Sequence, residues 1–111
     1  MAEPNAADRR AQAGIARRLA QAGFALPGTL IERNMRCGKQ TCRCAQDPPQ
    51  LHGPYHQWTR KVAGKTITVN LTDQQVAGYG PWFTNAQTLR SLFTELEDLS
   101  LRVAGRTEGW T

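Results

Sequence analysis

Residues 36–52 read RCGKQTCRCAQDPPQLH and contain all three cysteines of this 111-residue chain. Cys37, Cys42, Cys44 and His52 follow the spacing C-x4-C-x-C-x7-H. Three cysteines cannot all pair as disulfides within one chain, and free thiols this close together are prone to oxidation. Zinc binds thiolate sulfur and imidazole nitrogen in a tetrahedral shell. The spacing therefore predicts a structural zinc site with three cysteine ligands and one histidine ligand.

Two other residues near His52 in the sequence, His56 and Asp47, could also supply the fourth ligand. His52 directly precedes Gly53-Pro54, at the end of a loop that can deliver it to the cysteines. His56 falls inside a predicted strand and is more typical of a surface position. The pattern favours His52. An iron–sulfur cluster with the same four ligands, or three unliganded thiols beside an unrelated histidine, remains an alternative.

The segments on either side of the cysteines predict a mixed scaffold. A helix is expected over Asn5–Ala22, where apolar residues recur at four-residue spacing before Gly23. Thr29–Arg36 is a candidate strand with weak alternation. Pro54–Val62 and Lys65–Leu71 alternate strongly across Ala63-Gly64, which predicts a β-hairpin.

The C-terminal third predicts helix. Thr72 and Gln75 have the spacing of a capping box at its start, and Gly80-Pro81 is expected to divide it into two helices, the second running to about Val103. Its apolar residues recur in a heptad-like stripe, which suits either core packing or a dimeric coiled-coil seam. The stripe comprises Trp82, Leu89, Leu92, Phe93, Leu96, Leu99 and Val103.

Together these patterns predict an α+β fold: a small zinc-stapled, zinc-ribbon-like sheet of three antiparallel strands, with an N-terminal helix and a long C-terminal helix. The length suits a single domain over residues 1–111. We divide it into an N-terminal helical segment (1–27), a zinc-binding β region (28–71), C-terminal helices (72–104) and a mobile tail (105–111), in which Trp110 is exposed unless it finds a partner.

The positive charge is concentrated around the cysteines. The net charge is +5, and residues 31–65 alone carry seven basic and two acidic residues. Part of this charge is expected to compensate the net negative zinc–thiolate centre, and the surplus favours a nucleic-acid surface. The expected phosphate contacts are Arg36, Lys39, Arg43, Arg60, Lys61 and Lys65, with Tyr55 and Trp58 stacking on unpaired bases.

The chain also resembles a family of short, uncharacterised bacterial proteins. The shared motifs are C-G-K-x-x-C-R-C over Cys37–Cys44, H-G-P-Y over His52–Tyr55 and G-K-T over Gly64–Thr66. The resemblance implies the same three cysteines and His52 as the common site, and a possible association with transposases and other mobile elements. His56 stands where family members tend to have an aromatic residue, and Gly80-Pro81 interrupts a helix that looks continuous in them.

Catalytic interpretations fit the sequence less well. Gly64-Lys65-Thr66 resembles the end of a phosphate-binding loop, but position 59 is threonine instead of glycine and a strand pattern follows. Four good ligands would also leave no open position on a catalytic zinc. We therefore expect a non-enzymatic nucleic-acid-binding module, or alternatively a protein-interaction adaptor that dimerises or docks through its C-terminal helix. Residues 1–10 have no apolar run, and no stretch approaches ~20 apolar residues, so neither a signal peptide nor a membrane span is expected. The thiolate site and the lack of a disulfide framework predict a reducing, cytoplasmic compartment.

Overall fold

A computed structural model describes residues 1–110. It contains two helices and a three-stranded antiparallel sheet, which confirms the predicted α+β fold. Neither helix in the described part of the chain combines the length and the apolar character needed to cross a membrane. In chain order the elements are α1 (Ala6–Gln21), β1 (Thr29–Met35), a short 3-10 turn (Arg43–Ala45), β2 (His52–Val62), β3 (Lys65–Leu71) and α2 (Asp73–Glu108).

The chain divides into two compact units. The first, which we call the helical unit, comprises Met1–Ala25 and the chain from Thr84 onward. The second, the sheet unit, comprises Leu26–Phe83 and includes the predicted metal ligands. Helix α2 contributes to both units, because its first residues, Asp73–Phe83, belong to the sheet unit.

In the sheet unit the strand order is β1-β2-β3, with the long strand β2 in the centre. Strand β2 pairs with β1 from Thr59 back to His52, with a shift of register between Arg33 and Met35. It pairs with β3 through a two-residue hairpin, as predicted. Ala63 and Gly64 both have positive φ, 50° and 81°, which is the backbone geometry that matches the twist of a two-residue hairpin.

The two faces of the sheet differ because side chains alternate along each strand. Trp58 packs edge-on against Phe83 of α2, with ring centroids 5.8 Å apart, and its indole N–H donates to the carbonyl oxygen of Pro27 at 2.7 Å. This contact defines the helix-side face, which carries the even-numbered side chains of β2 from His56 onward. The opposite face, which we call the open face, carries Ile31, Arg33, Tyr55, Gln57, Thr59, Lys61, Thr66, Thr68 and Asn70.

The helical unit is built on a small apolar core between α1 and the second part of α2. Ile15, Leu92 and Leu99 are buried, and Leu92 is 0 % exposed. Three more residues of the predicted stripes, Leu19, Leu96 and Val103, pack partly buried against them. Four residues of the α2 stripe, Leu92, Leu96, Leu99 and Val103, thus pack in this core, whereas Phe93 is 58 % exposed. Whether the stripe also forms a dimer seam stays a prediction.

A capping box stabilises the start of α1, and two ion pairs connect α1 with α2. Asn5 caps α1, since its side chain accepts from the N–H of Asp8 and the Asp8 carboxylate accepts from the N–H of Asn5. Arg18 contacts Glu95 at 3.2 Å through two parallel hydrogen bonds. The guanidinium of Arg106 donates to the carboxylate of Asp8.

Helix α2 differs from the expectation in two respects. It begins at the predicted capping box, where the Thr72 hydroxyl and the Gln75 side chain exchange hydrogen bonds with each other's backbone N–H, but it continues through Pro81 without a break. A proline in a helix interior costs about 3 kcal/mol. Here the rings of Tyr79 and Trp82 pack together across it, 5.1 Å apart, which helps to offset that cost.

The end of α2 lies further along the chain than expected. Its last residue is Glu108, so residues 105–108, predicted to be part of a mobile tail, are helical. The N–H of Gly109 bonds to the carbonyl of Gly105 at 2.8 Å, and Gly109 takes a φ of 75°, which ends the helix. Trp110 is 62 % exposed, as expected, and Thr111 lies outside the described residues.

Candidate metal centre

The structure brings together the four residues that the spacing singled out. Cys37 follows β1, Cys42 and Cys44 belong to the 3-10 turn and its cap, and His52 is the first residue of β2. One ligand atom from each residue, three sulfurs and one imidazole nitrogen, lies within 4.8 Å of the other three. This set of donors can hold a metal ion.

Local backbone geometry explains this convergence. Pairing of Met35 with His52 places the end of β1 beside the start of β2, and the intervening chain must return within this short gap. Gly38 turns the chain with a φ of 82°, a conformation that favours glycine. The turn is then closed by hydrogen bonds from the N–H of Cys42 to the Lys39 carbonyl at 3.2 Å and from the N–H of Ala45 to the Cys42 carbonyl at 2.9 Å.

Two of the separations between donor atoms are close to those around a single tetrahedral ion. The sulfurs of Cys37 and Cys44 are 3.6 Å apart, and the sulfur of Cys42 lies 3.1 Å from Nε2 of His52. Zinc–sulfur bonds of about 2.3 Å in a tetrahedron require sulfur–sulfur separations near ~3.8 Å. The backbone N–H of Cys37 also points to the sulfur of Cys44 at 3.4 Å, the kind of hydrogen bond that supports a thiolate ligand.

The thiols differ in how readily they ionise. The backbone and then the side chain of Cys44 donate to Cys42, and together with hydrogen bonds from Cys37 and His52 they lower the pKa of Cys42 to about 6. The backbone N–H of Lys39 favours the Cys37 thiolate, but burial and the neighbouring thiols outweigh it and raise the pKa of Cys37. Since metals bind the thiolate, Cys42 is the sulfur that is ready to ligate at neutral pH.

The four residues of the cluster differ in their exposure to solvent. Cys44 is 0 % exposed, Cys42 and His52 are half-buried, and Cys37 is exposed. One thiol therefore lies inside the fold while another remains accessible to solvent. All four donors come from the protein itself, an arrangement typical of structural metal sites.

The two alternative ligands lie outside this cluster. His56 is on the helix-side face of the sheet, where its Nε2 is 3.5 Å from the carboxylate of Asp73 at the start of α2. Asp47 is in the loop that precedes β2 and does not join the four donors among the described residues. The geometry therefore agrees with the preference for His52.

The residues predicted to contact nucleic acid fall into two groups. Six of them are exposed to solvent: Arg36, Lys39, Arg43, Tyr55, Lys61 and Lys65. Trp58 and Arg60 are half-buried and contact each other, with Cζ of Arg60 4.2 Å from the centre of the Trp58 ring. Because the ring of Trp58 also packs on Phe83, this tryptophan has two structural partners in the sheet unit.

Sequence reasoning missed one exposed basic residue of the sheet. Arg33 is exposed and pairs directly with Tyr55 across β1 and β2, on the open face. The alternation of polar and apolar residues along β1 could have placed Arg33 on this face. It was too weak to do so without the pairing of β1 with β2. Near this pair a cavity of about 330 Å³ adjoins the metal cluster, lined by Met35, Arg36, Cys37, His52, Tyr55 and Asn70.

Comparison with known proteins places the chain in a family without assigning it an activity. No curated protein and no solved structure matches the chain significantly. A family model described as a domain of unknown function, DUF6788, matches residues 6–77. The match runs from the first residue of α1 through the metal cluster and the whole sheet into the start of α2. Since it covers more than half of the chain, the protein belongs to the DUF6788 family.

Proposed function

We propose that this protein is a non-enzymatic zinc-binding module that binds nucleic acid through the basic surface around its metal centre. The observation that carries the proposal is the position of three exposed cations, Arg36, Lys39 and Arg43, next to ligand cysteines in the same turn. A metal that fixes this turn also fixes the cations, so that they form one rigid surface.

The donor set supports zinc as the metal. Three thiolates and one imidazole satisfy a tetrahedral zinc completely and leave no position for an activated water, so the ion has a structural role. An iron–sulfur cluster is the alternative with these ligand types. The close convergence of the four donor atoms favours a single ion at their centre.

The charge supports a polyanionic partner. Three thiolates, a neutral imidazole and a divalent ion sum to one negative charge, which one or two of the neighbouring cations neutralise. Lys61 and Arg33, on the sheet, lie outside the metal turn and are exposed, so they are available for phosphates. The resemblance to the family of short bacterial proteins further favours binding to nucleic acid of mobile elements.

Titration of labelled DNA and RNA with the protein at 50 to 200 mM salt tests the proposal. Binding should weaken steeply with salt, and Arg36→Ala or Arg43→Ala should each reduce the slope of log K against log salt by about 1. Arg17→Ala removes the same charge from an exposed position on α1 and is the matched control. Absence of binding at low salt, or equal losses in all three variants, would overturn the proposal.

A second candidate function is dimerisation through α2. Phe93 is 58 % exposed and lines a cavity of about 550 Å³ on one side of the helix pair, together with Leu19, Leu89, Arg90 and Thr94. The other side of the pair carries charged residues, including Arg18 and Glu95. A second copy of the apolar side would cover Phe93.

Sedimentation equilibrium of the wild type and of Phe93→Glu tests this candidate. A dimer of the wild type that dissociates in the variant, with the helix content unchanged, supports it. A wild type that stays monomeric up to high micromolar concentration excludes a second copy as the occupant of this surface.

A further inference from the structure

The open face of the sheet has the composition of a binding surface. Apart from Ile31, which is 42 % exposed, its exposed side chains are basic, aromatic or hydrogen-bonding, and Tyr55 is 38 % exposed. Among the strand residues on this face, all of which the structure describes, none is acidic. Such a surface can accept a negatively charged ligand along its whole length without repulsion from a carboxylate.

The positive charges stand at both ends of the face. Arg33 and Tyr55 are paired across β1 and β2, and Lys61 lies six residues further along β2, paired with Thr66 of β3. At a rise of about 3.3 Å per residue, Tyr55 and Lys61 are roughly 20 Å apart. This length accommodates at most about six stacked nucleotides at ~3.4 Å each.

Between these ends the face offers polar groups that suit nucleic acid. The hydroxyls of Thr59 and Thr68 lie 3.3 Å apart in the middle of the sheet, and Gln57 and Asn70 are paired on β2 and β3. Hydroxyls and amides both donate and accept hydrogen bonds, so they can contact either phosphates or base edges.

The helix-side face is much less suitable. Its aromatic residue, Trp58, is engaged by Phe83 and Arg60, and its histidine, His56, contacts Asp73. Glu32, which pairs with His56, adds a carboxylate to the same face. The helix-side face also carries Arg60 and Lys65, so the two faces differ in the presence of a carboxylate and in the availability of an aromatic ring.

Tyr55 indicates which form of nucleic acid fits. Its exposed ring lines the cavity of about 330 Å³, together with Arg36 and Asn70. An unpaired base can stack on such a ring while its phosphates meet the neighbouring cations, whereas a duplex keeps its base faces inside its own stack. Three strands about 4.8 Å apart also make a narrow platform, suited to one strand of nucleic acid.

We infer that the open face binds single-stranded nucleic acid, with a base stacked on Tyr55 beside the metal centre and the phosphates held by Arg33 and Lys61. The inference rests on the proposed function, because it names the ligand and the path of the same basic surface. It also assigns Arg33 to the site and gives Trp58 and Arg60 structural roles.

The experiment compares binding of labelled twelve-residue oligo-dT, oligo-U and a DNA duplex of the same length to the zinc-loaded protein. Single strands should bind more tightly than the duplex. Tyr55→Ala should weaken single-strand binding about 5- to 150-fold, the effect of losing one base stack, while Tyr55→Phe retains most of it. Circular dichroism and zinc content verify that each variant is folded and loaded.

Lys61 and Lys65 form a matched pair, because they flank the same hairpin turn but project from opposite faces of the sheet. Lys61→Ala should reduce the salt slope for single strands by about 0.7 and weaken binding more than Lys65→Ala does. Arg17→Ala, on α1, should leave binding unchanged.

The outcomes separate this inference from the proposed function. Tighter binding of the duplex, equal effects of the two lysine variants, or no effect of Tyr55→Ala would overturn the open face as the single-strand site, while salt-dependent binding would still support the proposed function. Absence of binding to all three probes would overturn both. The comparison of oligo-dT with oligo-U distinguishes DNA from RNA as the preferred ligand.

Discussion

The sulfur of Cys42 lies 3.1 Å from Nε2 of His52, although the two residues are ten positions apart in the chain. This contact joins the turn after β1 to the first residue of β2. A metal ion held between them would tie the basic turn to the sheet at the point where the register of β1 and β2 shifts. Metal binding and the order of this region should therefore be coupled.

Replacement of the two histidines should have unequal effects on metal affinity. His52→Ala removes a donor from the cluster, so zinc affinity should fall by at least about tenfold, as even changes around a metal ligand cost 10–100-fold. His56→Ala removes only a contact with Asp73 and should leave zinc affinity unchanged. Competition with a chromogenic chelator measures both affinities, and a larger loss in His56→Ala would reassign the ligand.

Cysteine reactivity in the metal-free protein should depend on pH in a residue-specific way. The pKa of Cys42 is lowered to about 6, so this thiol is mostly ionised at pH 7 and protonated below pH 5, whereas the pKa of Cys37 is raised. Iodoacetamide at pH 7 should thus label Cys42 before Cys37, even though Cys37 is more exposed. Mass mapping of the labelled peptides checks the order, and preferential labelling of Cys37 would contradict it. Zinc should protect both thiols.

Truncation of the helical core should destabilise the protein strongly. Leu92 is 0 % exposed and packs with Ile15 and Leu99, so Leu92→Ala should lower the free energy of unfolding by about 2–5 kcal/mol. Leu101→Ala is the control, because Leu101 is 59 % exposed on the same helix and should change it by less than about 0.5 kcal/mol. Urea unfolding measures the difference, and equal effects would show that this core is not the stabilising one.

Acid should weaken the helical unit through Asp8. The side chain of Arg106 and the backbone N–H of Asn5 lower the pKa of Asp8 relative to the unfolded chain. A lowered pKa contributes stability that is present above the unfolded value of about 3.9 and is lost as pH falls below it. Asp8→Asn should therefore reduce stability at pH 7 and flatten its decline below about pH 4. Asp98→Asn, at an exposed site, should leave that decline unchanged, and the same flattening in both variants would exclude Asp8 as its cause.

Local patterns predicted much of the sheet unit because each one has a direct physical cause. The C-x4-C-x-C-x7-H spacing selected the four residues that converge, since side chains that can share one ion must be close in the fold. Alternation predicted the hairpin, and Thr72 with Gln75 predicted the start of α2.

The errors arose where contacts between distant residues decide the structure. Gly80-Pro81 indicated a helix break, but packing of Tyr79 against Trp82 accompanies an unbroken helix. The register that places Arg33 beside Tyr55, and the contacts that occupy Trp58, depend on strand pairing and on α2. A short polar strand such as β1 does not encode these relationships by itself.

The metal content of the protein, measured by native mass spectrometry after purification without added metal, tests the central claim most directly. We predict one zinc ion per chain, which a strong chelator removes together with the hydrogen-exchange protection of β1 and β2. A folded protein that carries no metal, and that keeps this protection in the chelator, would contradict the account.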